Sequence, residues 1–179
     1  MNGTTAGSEQ VLVLGIGNLL LSDEGVGVHV AQELMAGGTP AGVQVRDAGT
    51  PGFELVEELS DGRRVIVVDA LQAGLSPGAV RVFAPAEVRE SEQVKLSSLH
   101  GVGLLDVCRL AQRLGRRLNV TVIGVQVASV GPGTELSPAL RAHWAEIMQR
   151  VGQEVNQAAS DRAEATNQVA PRDGPSGGL

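Results

Sequence analysis

Two stretches of this chain, Val11-Leu12-Val13-Leu14 and Val65-Ile66-Val67-Val68, contain nothing but aliphatic side chains. A strand with one wet face alternates apolar and polar residues, whereas a run with no polar member suits a strand covered on both faces. Helical spacing appears between and after these runs. From Glu24 to about Ala36, Val30, Ala31 and Leu34 share a face, opposite His29, Gln32 and Glu33; Ser22 or Asp23 is the expected N-cap and Gly37-Gly38 the stop. Thr50-Pro51 is expected to start a helix through Phe53, Leu55, Val56 and Leu59. Another helix is expected from Gly103 to Leu114, with Leu104, Val107, Cys108 and Ala111 along one side. Val43–Val45, Ala79–Phe83 and Val120–Val127 supply further strands. Ser137-Pro138 opens a last helix striped by Leu140, Trp144, Ile147, Met148, Val151 and Val155.

Strands alternating with helices in this way predict an α/β fold. The expectation is a single three-layer domain with a mainly parallel, mixed sheet of about five strands and helices on both faces. Its boundaries fall at residues 11–156, after a flexible start over 1–10. From 157 the apolar pattern stops, and 157–179, rich in Ala, Ser, Gly, Pro and Asp, is expected to be disordered.

Composition narrows the function. Phe53, Phe83 and Trp144 are the only aromatic residues, so stacking platforms for single-stranded nucleic acid are lacking. A net charge of −6 disfavours a phosphate-backbone partner. One cysteine, Cys108, permits no internal disulfide and fits a reducing compartment. With no signal-peptide pattern at the start and no apolar run of the ~20 residues that span a bilayer, the expectation is a cytoplasmic protein without membrane contact, and a monomer.

In open α/β sheets, ligands lie beyond the carboxyl ends of the strands. Glu24 follows the first strand, Asp47 the second, and Asp69 ends the third, so acids gather on that rim. Gly15-Ile16-Gly17, with Asp47 after the second strand, resembles part of a dinucleotide fingerprint, but Leu20 stands where a third glycine belongs. Two carboxylates beside a pyrophosphate would also be unfavourable, since like charges at ~4 Å repel by ~4 kcal/mol at an effective dielectric of ~20. Gly74-Leu75-Ser76-Pro77-Gly78 has the letters of a nucleophile elbow, yet Pro77 lacks the N–H that an oxyanion hole takes from that position. Cys108 reads as a small core residue. His29 reads as solvated and His143 as packing or surface, while His100, between Leu99 and Gly101 at a loop-to-helix junction, is a ligand candidate. Asp69 must either emerge at the rim or find partners, because an isolated buried carboxylate is costly; capping a local turn through Ala70 is the alternative.

Taken in order, Gly15-x-Gly17-Asn18, Asp23-Glu24-Gly25-x-Gly27, Asp47-x-Gly49-Thr50-x-Gly52, Val68-Asp69-Ala70 and Leu99-His100-Gly101 resemble the hydrogenase maturation endopeptidases. The likeness runs from about Val11 to Val155 and includes Thr134-Glu135-Leu136-Ser137-Pro138. Members of that family trim the carboxyl-terminal extension from the large-subunit precursor of nickel–iron hydrogenases. The resemblance implies that Glu24, Asp69 and His100 are the metal-contacting and catalytic trio. It further implies nickel supplied by the substrate rather than permanently bound, and an aspartic-type endopeptidase by classification, although the Asp-Thr/Ser-Gly signature of pepsin-like enzymes is absent. Asp47, Gly49 and Thr50 are the implied substrate-recognition residues; Ala48 stands where family members often carry a glycine. Two other readings stay open at this point: a nickel-sensing assembly factor without proteolysis, and a dinucleotide-binding module.

Overall fold

The structure is a computed structural model that describes residues 10–59, 62–88, 95, 96, 98, 99 and 102–169. In chain order the elements are β1 (Val11–Ile16), α1 (Val26–Gly37), β2 (Val43–Gly49), α2 (Leu55–Leu59), β3 (Arg64–Gln72) and β4 (Val80–Phe83). Three short strands follow, β5 (Lys95–Leu96), β6 (Ser98–Leu99) and β7 (Val102–Gly103). The chain then continues with α3 (Leu104–Arg113), β8 (Asn119–Gln126), α4 (Pro138–Ala142) and α5 (Trp144–Val169).

The main sheet has the order β2-β1-β3-β8-β4. β1, β2, β3 and β8 run parallel, β4 lies antiparallel on the β8 edge, and β5 adds an antiparallel pair at the far end of β3. This is the mixed five-strand sheet expected from the apolar runs. β1 and β3 are the interior strands that those runs identified, and every residue of β1 is buried. One face of the sheet carries Val11, Val13, Ile66, Val68, Ile123 and Val125 against Val26 and Val30 of α1 and Leu140, Ile147, Val151 and Val155 of α4 and α5. The other face carries Leu12, Leu14, Val65, Val67 and Val122 against Leu55, Val56 and Leu59 of α2 and Leu104, Val107, Cys108 and Ala111 of α3.

Several elements differ from the expectation. The first helix begins with a short 3-10 helix, Ser22–Gly25, and becomes α-helical only at Val26; neither Ser22 nor Asp23 caps it. α2 starts at Leu55 rather than at Thr50-Pro51. β2 continues to Gly49 because its end stays paired with β1, through a register shift at Gly15/Ile16 that leaves Ala48 as the extra residue. The last helix breaks at His143 and then runs to Val169, past the boundary placed at 157. Apolar periodicity thins out there, but Ala158 is fully buried and Asp161 bonds Arg64 of β3 at 2.8 Å and Gln157 at 2.6 Å. A small buried residue and polar side contacts hold this part of the helix without leaving a strong apolar signal.

Candidate functional site

The chain leaves β1 on one side and β3 on the other. β1 connects through α1 to β2, while β2 crosses over β1 through α2 to reach β3. The strand order therefore reverses between β1 and β3, the place where open α/β sheets form a crevice beyond their strand ends. Glu24 comes from the 3-10 helix that follows β1 and packs against β3. Asp69 lies on β3 one residue beyond the last β1–β3 pair, Gly15↔Val68. It does not end the strand, since Ala70 and Leu71 continue it paired to β8, and Leu71 and Gln72 pair with β5. Asp69 is fully buried and Glu24 is 8% exposed. The Oδ1 atom of Asp69 accepts the N–H of Ala70 at 2.7 Å, so the local contact expected as one alternative exists alongside the rim position.

Main-chain packing sets the height of Glu24. Gly17 has φ of 141°, and a Cβ there would lie 1.9 Å from the carbonyl oxygen of Glu24. A Cβ on Gly15 would lie 2.1 Å from the carbonyl oxygen of Gly27; one on Gly27 would lie 2.2 Å from that of Val68 and 2.4 Å from that of Ile16. Such distances are impossible for any residue but glycine, so helix and strands touch backbone to backbone. The bare glycine faces are filled by the chain's own carbonyl groups, so close packing of helix and strands accounts for these glycines without a pyrophosphate.

Asp23 has a different job from Glu24. Its carboxylate is fully buried and accepts three main-chain N–H groups: Ala128 at 2.9 Å and Ser129 at 3.0 Å on Oδ2, and Ser137 at 2.6 Å on Oδ1. Ser22, in the left-handed region at φ of 51°, adds a bond from its hydroxyl to the Gly131 carbonyl at 3.0 Å and from its N–H to Gly133 at 2.8 Å. The loop after β8 is thus stapled to the turn that carries Glu24. Gln126 does the same for the loop after β3: its Oε1 accepts the N–H groups of Ala73 and Leu75 at 2.9 and 3.2 Å. Nothing in the sequence marks Gln126 for this role, and Asp23 reads there only as a helix cap. The adjacency of two acids after the glycine turn, Asp23-Glu24, is the one sequence signal that points to two separate jobs.

Asp47, Gly49 and Thr50 lie at the end of the edge strand β2. Asp47 accepts the N–H of Gly49 at 2.9 Å and a bond from Gln32 of α1 at 3.1 Å, Gly49 takes φ of 55°, and Thr50 is exposed. His100 lies outside the described residues. Among the described residues, no group of three His, Cys, Asp or Glu is placed to hold a metal ion. His29 is half-buried rather than solvated and lines a groove of about 460 Å³ with Glu33, Leu136, Arg141 and Trp144. Burial pushes its pKa down, opposed by the nearby Asp47 carboxylate. His143 is exposed, with Nδ1 2.9 Å from the Ala139 carbonyl. Cys108 is buried, and burial pushes its thiol up to about 12.

A doubly covered α/β sheet with two carboxylates at its β1/β3 crevice defines a class of acidic-rim α/β protein. Comparison with known proteins makes it specific. The hydrogenase maturation protease (HycI) family model matches residues 28–154. A hydrogenase expression/formation protein, HupD, of Bradyrhizobium diazoefficiens is 37% identical over 141 residues, 77% of this chain and 73% of that one. The hydrogenase 2 maturation protease of Escherichia coli is 31% identical over 145 residues, covering 79% and 88%. Some relatives are longer: the chain spans 61% of HupM of Azotobacter chroococcum, to which it is 39% identical. Among solved structures, the hydrogenase maturating endopeptidase HybD from E. coli superposes with a TM-score of 0.67 at 28% identity, covering 83% and 93%. The chain belongs to the hydrogenase maturation protease family.

Proposed function

We propose that this chain is an endopeptidase that removes the carboxyl-terminal extension of a nickel-loaded hydrogenase large-subunit precursor, with Glu24, Asp69 and His100 reading the nickel. The observation that carries this is that Glu24, on the 3-10 helix packed against β3, and Asp69, on β3 just past its pairing with β1, both stand at the β1/β3 switch point of a fold shared with proteins named as hydrogenase maturation proteases. Two carboxylates and an imidazole suit a borderline divalent ion and leave positions open for ligands the substrate brings. The ion is part of the substrate, and the chemistry it contributes is polarisation of a bound oxygen.

The chain's own contribution is positional. The glycine contacts hold Glu24 at a fixed height, the β3 ladder holds Asp69, and one carboxylate takes the proton of the attacking water as general base. The label aspartic-type describes these acids, and Asp47, Gly49 and Thr50 are the proposed recognition residues beside them. No helix among the described residues is long and apolar enough to cross a membrane. We place the reaction in the cytoplasm, where a lone buried thiol such as Cys108 stays reduced.

The test is incubation with nickel-loaded precursor, read by intact mass. Loss of a carboxyl-terminal peptide is expected with the wild type and not with Glu24→Gln, Asp69→Asn or His100→Ala, all of which should remain folded. Binding of the precursor without any mass change would instead make the chain a nickel-sensing assembly factor. Calorimetry with nickel alone should show only weak binding; tight stoichiometric uptake would place the metal on this chain.

A further inference from the structure

Between β8 and α4 the chain crosses the carboxyl rim as a strap, residues 128–135, in which no residue is buried. Val127 and Leu136, at its two ends, belong to the core. Burial of apolar surface therefore does not hold the strap in place. Polar contacts do, and they run to residues 20–23.

Leu21 forms an isolated parallel bridge with Gly133. Around it, the Gly133 N–H donates to the Leu20 carbonyl at 3.0 Å, and the Ser22 N–H donates to the Gly133 carbonyl at 2.8 Å. The Ser22 hydroxyl donates to the Gly131 carbonyl, and Asp23 accepts from Ala128, Ser129 and, where α4 begins, Ser137. Glu24 comes next. Its own N–H donates to the Leu21 carbonyl at 3.2 Å, one hydrogen bond from the residue bridged to the strap. Its carbonyl, on the other side, lies against Gly17. The acid is gripped from both directions, by glycine packing at its carbonyl and by the strap at its N–H.

The cost of this arrangement argues for more than closing a loop. Asp23 is a fully buried carboxylate, and Ser22 is the one non-glycine residue with positive φ among the described residues. Taking a carboxylate out of water costs on the order of several kcal/mol, which its bonds do little more than offset. A non-glycine residue held in the left-handed region costs about 1–3 kcal/mol. An exposed loop that had only to be closed needs neither. A fully satisfied buried polar network instead fixes one geometry, and a reacting group must be held within about 0.5 Å of its working position.

We propose that Ser22, Asp23 and Gly133 are positioning residues for the cleavage reaction, which set the direction of the Glu24 carboxylate through the strap. The kinetic consequence rests on the protease reading; the geometry does not.

The test uses the full chain with Asp23→Asn, Ser22→Ala, Gly133→Ala and the double variant Ser22→Ala, Gly133→Ala, and with Val155→Ala as a control destabilised in the core. A Cβ at Gly133 would stand 2.7 Å from Ser22 Oγ but 4.0 Å from Ser22 Cβ, so Gly133→Ala displaces the hydroxyl that Ser22→Ala removes. Cleavage of nickel-loaded precursor is followed by intact mass well below each melting temperature. The carboxyl carbon of Glu24 is followed by NMR of isotope-labelled protein without substrate. Asp23→Asn should lower kcat about ten- to hundredfold with KM within about threefold. Ser22→Ala and Gly133→Ala should each lower kcat about three- to tenfold, and the double variant should lose no more than the worse single one, because both act on one bond. Gly133→Ala should also move the Glu24 carboxyl resonance. Val155→Ala should melt earlier yet keep the kcat of the wild type. Wild-type kcat in Asp23→Asn, a loss confined to KM, fully additive losses in the double variant, an equal kcat loss in Val155→Ala, or an unmoved Glu24 resonance in Gly133→Ala would each overturn the positioning role. A wild type that cuts nothing would refute the protease reading, and the Glu24 resonance would then decide the strap.

Discussion

Asp23 and Glu24 are adjacent acids with opposite expected responses to removal. Replacing Asp23 by Ala deprives the N–H groups of Ala128, Ser129 and Ser137 of their acceptor. Hydrogen bonds to a charged group contribute about 1.5–3 kcal/mol each. Ala128 and Ser129 are exposed residues, so water takes over much of those two, whereas Ser137 is half-buried and its 2.6 Å bond is the shortest of the three. Discounting accordingly, the loss comes to about 3–4 kcal/mol. At about 2–4 °C per kcal/mol for a chain of this size, the melting temperature should fall by about 6–16 °C. Asp23→Asn should fall in between, because its single amide oxygen can serve Ser137 or the Ala128–Ser129 pair but not both. The assay is heat and urea unfolding followed by far-UV circular dichroism, with Glu24→Gln as the companion. That variant, which keeps the size and shape of the side chain, should stay within about 1 kcal/mol of wild type. A melting temperature for Asp23→Ala within about 2 °C of wild type would refute the staple.

Other expectations concern groups away from the crevice. Because burial lowers the pKa of His29, the unfolded chain takes up its proton first as pH falls, so this residue's contribution to stability is complete above its ordinary value near 6.5 and declines below it; in urea melts across pH 5–8, His29→Gln should flatten that slope, and an unchanged slope would exclude the residue. Truncation after Gln157 removes Ala158 from the core and the Asp161 partner of Arg64, and should cost about 1–2 kcal/mol in urea unfolding; no cost would restore the boundary drawn from the sequence. With its thiol pushed up to about 12, Cys108 should resist Ellman's reagent in the native protein and react on unfolding; rapid native labelling would contradict its burial.

The parts of the fold visible in the sequence are those where periodicity alone decides. Val11–Leu14 and Val65–Val68 have no polar residue, so nothing but double coverage accounts for them, and α3 carries its four buried residues at helical spacing. The full length of β2 is not legible because an edge strand is half wet and its tail, Asp47-Ala48-Gly49, looks like a turn; only pairing with β1 keeps it extended. The far end of α5 is not legible because Ala158 and the Arg64–Asp161 pair leave no apolar stripe. In the site, Glu24 and Asp69 were legible as acids following buried strands. The role of Asp23 was not, since its three partners lie more than 100 residues away and are main-chain atoms that no side-chain pattern records.

The contacts among Gly15, Gly17, Gly27 and the carbonyl groups of Ile16, Glu24 and Val68 involve no rotamers. A repacked core can shift, hop and still leave these atoms where they are, so exchanges among the aliphatic residues beneath should alter how firmly the protein holds together without altering where Glu24 stands. A single methyl group added at Gly17 or Gly27 has no such buffer and acts on the crevice directly. For anyone retuning this chain toward another substrate, the interior is therefore negotiable ground, and three hydrogen-sized gaps beside the strand ends are not.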